Sequence, residues 1–207
     1  MDPTSLALGF GKSFLFVLAT ILPILNPAAS SPMVLALTEG ASTETRRVLA
    51  RKVARNVFLL LLGAMLVGSY VLDLFGISLP IVRVGGGLIV AATAWRLLNA
   101  DHTTGDRRQA LAEGFTLDHV QRQAFYPLTF PLTCGPGSIT AAITVGVTLP
   151  DGDFVPTLVR VAGGVLALVS LGALVYLAHR YAQRLLQLLG ETGTIVFLRL
   201  SAFILLC

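Results

Sequence analysis

Long apolar runs alternate along this chain with short polar or basic stretches. The runs cover Leu6–Thr38, Val53–Leu74, Leu79–Leu98, Ala124–Leu149, Leu158–Ala178 and Thr194–Cys207. An α-helix of about 20 apolar residues crosses a bilayer core of about 30 Å. The pattern therefore predicts an all-α membrane protein with six transmembrane helices. The first run is too long for one straight crossing: from Phe10 to Thr38 it would extend roughly 44 Å as helix, which leaves room for an unwound stretch around Asn26. The last run has the opposite problem, reaching only about 21 Å, and the C-terminus reads as shortened. The N-terminus has no basic region or small-residue cleavage site, so the first run reads as a retained helix and not a removed signal.

Two of the runs are broken at matching points. The first carries Pro23-Ile24-Leu25-Asn26-Pro27-Ala28-Ala29-Ser30-Ser31-Pro32, the fourth Pro127-Leu128-Thr129-Phe130-Pro131-Leu132-Thr133-Cys134-Gly135-Pro136-Gly137-Ser138. Non-helical backbone survives at membrane depth only when it is buried in protein or lines a polar cavity. Paired interruptions in two halves of a chain point to the binding site of a secondary transporter. The first and fourth helices are thus expected to be discontinuous.

Composition strengthens the membrane assignment. The chain is 55% hydrophobic and 13% charged, with a mean hydropathy of +0.80; soluble proteins carry about 25% charge. The isoelectric point near 9.5 reflects basic residues beside apolar runs, not a nucleic-acid surface. Arg46, Arg47, Arg51, Lys52 and Arg55 follow the first run, Arg96, Arg107, Arg108 and Arg122 surround the loop after the third, and Arg180 and Arg184 follow the fifth. The intervening loops carry Asp73, Asp151 and Asp153. The positive-inside rule then places both termini outside. Three crossings per half make the second half enter from the opposite side, an inverted-topology repeat. Residues 1–98 read as the first three-helix repeat, 99–123 as a polar cytoplasmic linker and 124–207 as the second repeat. Phe75-Gly76-Ile77-Ser78 before Ile81–Gly85 matches Leu189-Gly190-Glu191 before Ile195–Ser201.

Asn26-Pro27 has the chemistry of a helix start, Asn being a favoured N-cap and Pro a favoured first helical residue. Such a start, placed mid-membrane, points free N–H groups and partial positive charge at whatever lies before it. Gly135-Pro136-Gly137-Ser138 repeats the logic, its glycines allowing close approach of a ligand to backbone. Ser30, Ser31, Thr133, Ser138 and Thr140 add hydroxyls. A pocket between two half-helix ends suits a small zwitterion. The plainer alternative is that the prolines only kink packed helices, since Pro and Gly are frequent in membrane helices; the matched clusters weigh against it. Gly85-Gly86-Gly87 and Gly163-Gly164 read as close helix packing. Arg83 and Arg199 read as snorkelling cations, with a gate as the alternative for Arg83.

Catalytic constellations are missing. His102, His119 and His179 fall in or beside polar loops without metal-ligand spacing. Cys134 lies in the candidate pocket with no base nearby and reads as a packing residue; with Cys207 it offers no disulfide framework. No P-loop lysine follows Gly135–Ser138. No metal, cofactor or nucleic acid is expected.

Leu22–Pro27, Phe75–Ser78, Gly85–Gly87 and Pro127–Ile139 together resemble the MarC family of integral membrane proteins, also called the neutral amino acid transporter family, over nearly the whole chain. The resemblance implies six helices in a bacterial cytoplasmic membrane, discontinuous at Asn26-Pro27 and Gly135-Pro136-Gly137. It also implies transport of glycine, alanine or serine coupled to a proton or cation. The spans hold no evident carboxylate relay, and Asp73 sits at a helix end. The alternatives are an accessory multi-pass protein, or an enzyme acting on lipid-linked phosphate. Such an enzyme requires acids and bases at membrane depth, and the broken segments contain neither.

Overall fold

The ends of the helices follow from local chemistry, and several differ from the limits of the apolar runs. The computed structural model describes residues 3–38, 41–98, 124–150 and 152–206, and every regular element among these is helical. The first run becomes α1 (Pro3–Leu25) and α2 (Pro27–Leu37), followed by α3 (Thr43–Leu74) and α4 (Leu79–Leu98). The linker expected over 99–123 lies outside the described residues. The second half comprises α5 (Ala124–Thr133), α6 (Pro136–Thr148), α7 (Phe154–Arg180) and α8 (Ala182–Leu206).

Helix α3 starts well before its apolar run because Ser42 caps it, its hydroxyl accepting the Thr45 N–H at 3.1 Å. Glu44 in the first turn adds a favourable interaction with the helix dipole. Arg46, Arg47, Arg51, Lys52 and Arg55 are therefore helical, not loop residues. Hydropathy marks the lipid-facing stretch, whereas capping marks where the helix begins.

At the other end Gly76 takes φ 65, and Ile77 N–H donates to Leu72 O at 2.9 Å and Gly76 N–H to Asp73 O at 3.0 Å. This is a Schellman cap that only a residue tolerant of positive φ completes, and it turns the chain directly into α4. The final helix begins at Ala182, earlier than its apolar run, and is broken at Gly190 with φ 66.

The buried faces recur at helical spacing: Val17, Ile21 and Leu25 on α1, Val53, Val57, Leu61 and Met65 on α3, and Leu168, Leu171 and Val175 on α7. Helices α1 and α2 pack on α7, and α3 packs on α5, α6 and α7; α4 packs on α6 and α8, and α2 on α8. Small residues set the closest approaches. A Cβ at Gly146 would collide with the Met65 carbonyl, and one at Gly163 would lie 2.5 Å from Phe10 O. Of the glycine run in α4, only Gly86 is needed, since its Cβ would meet Thr140 at 2.6 Å whereas Gly85 and Gly87 face open space.

Large apolar side chains remain outside, including Tyr70 at 72% exposure, Leu74 at 82% and Phe154 at 81%. Soluble surfaces rarely keep so many together, and lipid covers them here. The protein is a multi-pass membrane protein. Among the described residues, Pro3–Leu35, Thr43–Leu74 and Phe154–Arg180 each suffice by length and apolarity to cross, and α5 with α6 makes a fourth crossing if that bent pair counts as one. Six such helices were expected. Among the described residues α4 contributes a shorter apolar stretch, Leu79–Ala92, and α8 is interrupted at Gly190.

A candidate binding cavity between two helix breaks

At the first break Asn26 adopts φ 40, a left-handed conformation that Asn tolerates better than most residues. Its Oδ1 accepts the Ala29 N–H at 3.2 Å, and its carbonyl accepts from Ala29 and Ser30 at 3.1 and 3.2 Å. The side chain is thus an N-cap, and Pro27 follows at the position where a missing N–H does no harm. The break is one residue long, not the longer unwound stretch expected. Asn26 N–H still donates to Leu22 O at 2.9 Å, so α1 stays helical up to the break.

The second break is larger. Tyr126 (φ −119, ψ 124) and Phe130 (φ −118, ψ 127) are extended, as residues preceding proline tend to be, and the two arms of the bent pair diverge by 73°. Thr129 and Thr133 donate their hydroxyls to Ala124 O at 2.6 Å and Leu128 O at 2.7 Å, satisfying carbonyls that the irregular backbone leaves over. Asn56 of α3 donates its side-chain amide to Thr129 Oγ1 at 3.4 Å. Gly135, extended at φ −83 and ψ 178, caps α6 without a side chain, and Pro136 opens the helix. Ser138 and Ile139 N–H donate to Gly135 O at 3.1 and 3.3 Å. The Gly137 N–H has no acceptor among the described residues.

Both breaks open onto one cavity of about 390 Å³, within the ~300–1,000 Å³ usual for small-molecule sites. Asn26 and Ser30 line it from the first break, with Ile24, Leu25, Ala29 and Met33. Thr133, Gly135, Pro136, Gly137 and Ser138 line it from the second, with Pro131 and Leu132. Ile89 and Val90 of α4 complete the wall. Seven of the residues singled out by sequence therefore share one space, and no acidic or basic side chain is among the lining residues.

The other candidates point elsewhere. Pro27 faces an apolar cleft between α1–α2 and α7, on the far side of the break. Ser31 is fully buried and donates to Ala28 O at 2.9 Å. Thr140 donates to Pro136 O at 3.0 Å and sets its methyl group against Gly86. Arg83 is exposed and donates from Nε to Thr144 Oγ1 at 3.4 Å. Cys134, placed in the pocket by its sequence position, is fully buried in the apolar core instead.

One residue plays a part that the sequence reading missed. His179 does stand at the end of a helix, in the last turn of α7, but its side chain is only 7% exposed, and its Nε2 sits 3.4 Å from Ser30 Oγ on the cavity wall. Its Nδ1 has no hydrogen-bond partner among the described residues. The signal was present, because His179 continues the buried stripe of Leu168, Leu171 and Val175 by one helical turn. Apolar periodicity alone ended that stripe at Ala178. Among the described residues no group of three His, Cys, Asp or Glu is placed to hold a metal ion.

Comparison with known proteins agrees with a membrane protein. A family model described as MarC family integral membrane protein matches residues 11–207. A UPF0056 membrane protein of Archaeoglobus fulgidus is 30% identical over 201 residues, which cover 95% of this chain and 88% of that protein. The UPF0056 inner membrane protein MarC of Salmonella typhimurium is 28% identical over 192 residues, covering 92% and 87%. No solved structure matches.

Proposed function

Since the chain belongs to the MarC family of integral membrane proteins, we propose that it is a secondary transporter of small neutral amino acids of the size of glycine, alanine or serine. It works by alternating access around the cavity between the two helix breaks. One observation carries this reading: both half-helix starts open on the same cavity, and at one of them the Gly137 N–H lacks an acceptor among the described residues. A carboxylate placed there meets a donor, two glycines without side chains in the way, and the positive end of α6. The Asn26 amide, the Thr133 and Ser138 hydroxyls and nearby carbonyls supply partners for an ammonium group. A wall without acid or base suits binding better than bond-breaking chemistry.

The six-helix inverted repeat is part of the proposal, and the packing supports it. Exchanging the two halves element by element maps α1–α2 on α7 onto α5–α6 on α3, and α4 on α6 onto α8 on α2. It also maps the left-handed Gly76 (φ 65) onto Gly190 (φ 66). Moving one repeat against the other would open the cavity to alternate sides. Coupling to a proton or cation gradient goes with the family resemblance. The ionisable side chain bonded to the cavity wall is His179, through Ser30.

The proposal has both termini outside the cytoplasmic membrane, a reading that the distribution of Lys and Arg supports. A cysteine at position 106 should then react with impermeant reagent only from the cytoplasmic face, and labelling from outside intact cells reverses the orientation. The transport reading is tested by uptake of labelled glycine, alanine and serine into proteoliposomes under an imposed proton gradient. Uptake above empty vesicles, competed by the other small amino acids, is expected. Absence of uptake and of binding for all of them refutes it.

A further inference from the structure

A second cavity, of about 440 Å³, lies where the end of α2, the start of α3, the end of α7 and the start of α8 converge. Its wall is unlike the first. Arg46 and Arg47 reach it from α3, Arg180 from α7 and Arg184 from α8, and Glu44 is the one carboxylate lining it. That carboxylate is 4.0 Å from Arg47, the limit of an ion pair, and both side chains are largely exposed. Guanidinium groups drawn around a shared concavity repel one another, and more strongly beside the low dielectric of lipid than in water.

Three of the arginines have local partners. Arg46 donates from Nε and a terminal N–H to Thr38 O at 3.3 and 3.2 Å. Arg180 donates to the Tyr176 hydroxyl at 2.7 Å and stacks over the Tyr181 ring at 5.3 Å, and Arg184 lies over the same ring at 5.7 Å. The inner wall carries His179, 7% exposed, whose Nδ1 has no partner among the described residues. The result is a set of donors with excess positive charge drawn around one concavity.

The geometry points to a site for a phosphate group, held by Arg46, Arg47, Arg180 and Arg184 at the membrane surface. Planar guanidinium forks match phosphate oxygens in pairs, and basic pockets between membrane helices recognise anionic headgroups. The phosphate is that of an anionic phospholipid or a free phosphate ion. The site is separate from the substrate cavity and stands whether or not that cavity transports amino acids.

The test is thermal unfolding of the purified protein in neutral detergent, with phosphatidylglycerol, phosphatidylcholine or inorganic phosphate added at constant ionic strength. Phosphatidylglycerol should raise the unfolding temperature and phosphatidylcholine should not. Arg180→Gln with Arg184→Gln should weaken that apparent affinity roughly 30-fold, whereas Arg83→Gln, outside the cavity, should leave it unchanged. If the double variant does not purify folded, Arg184→Gln alone, at an exposed position, carries the comparison with a smaller shift. Stabilisation by inorganic phosphate equal to that by the lipid identifies the free ion as the ligand of this site. No stabilisation by either, or stabilisation that survives the double variant or is lost equally in Arg83→Gln, overturns the proposal.

Discussion

The two helix breaks solve one problem by different means. The first uses a side chain: Asn26 sits at φ 40, and its amide oxygen replaces the lost helical acceptor at a single residue. The second starts its helix without a side-chain cap. A ten-residue irregular segment leads into Gly135, which has no side chain to offer. The difference predicts where each break is vulnerable. The first depends on one functional group. The second depends on empty space, since a Cβ at Gly137 would collide with Val90 and lie 3.4 Å from Ile24.

The largest effect is expected at Gly137. From the sequence, Gly137→Val would be expected to abolish transport while the protein still folds; the contact with Val90 changes that expectation. Overpacking of this kind costs about 1–3 kcal/mol, so Gly137→Val should lower both thermal stability and uptake. The separation comes from Gly137→Ala combined with Val90→Ala, which relieves the contact while leaving a methyl group beside the free N–H. If the second break binds substrate, stability returns and uptake stays low. Uptake returning together with stability would reduce Gly137 to a packing residue.

Asn26 should show the opposite balance. Asn26→Ala loses the cap, at about 1 kcal/mol, and places a Cβ residue without a local hydrogen bond in the left-handed region, at roughly 1–2 kcal/mol more. Asn26→Gly keeps the backbone comfortable and forfeits only a few tenths of a kcal/mol as a cap. Uptake should fall in both variants while stability falls mainly in the alanine variant. A glycine variant with full uptake would show that the amide serves the helix and not the ligand.

Ser30→Ala should have a smaller effect. It removes the hydroxyl 3.4 Å from His179 Nε2, and one such bond contributes about 1 kcal/mol. A stability loss of that order with a partial loss of uptake is expected. No change in either would show that His179 is held by packing alone.

Both breaks were legible because their causes are local: a proline lacks its N–H, an asparagine caps, and residues before proline extend. The start of α3 was equally local, in Ser42-Thr43-Glu44-Thr45, but hydropathy masked it behind five basic residues. What could not be read was helical phase across a kink. Ser30 and Ser31 are neighbours in sequence, yet about 100° apart around a helix, and only Ser30 reaches the cavity. His179 was missed for a related reason, since a polar residue on a buried stripe is identified by what packs over it, here Ser30 of another helix. Which glycine of α4 matters was likewise set by Thr140 across the interface.

The smallest effect is expected where this reading excludes a residue from the site, at Thr140. Its hydroxyl donates to Pro136 O one turn back, a bond to an already helical carbonyl that adds little. Its methyl group and hydroxyl oxygen lie equally close over Gly86, so the branched shape is what the contact needs. Thr140→Val keeps the branched shape and removes the hydroxyl. Stability should stay within about 0.5 kcal/mol of the parent, the range of substitutions that disturb no named feature, and uptake should be unchanged. Thr140→Leu, longer and branched one carbon later, should press on Gly86 and destabilise the contact between α4 and α6. If Thr140→Val instead loses uptake while its unfolding temperature holds, the hydroxyl reaches substrate in another state of the transport cycle. The second site wall would then extend a full turn further along α6 than this conformation displays.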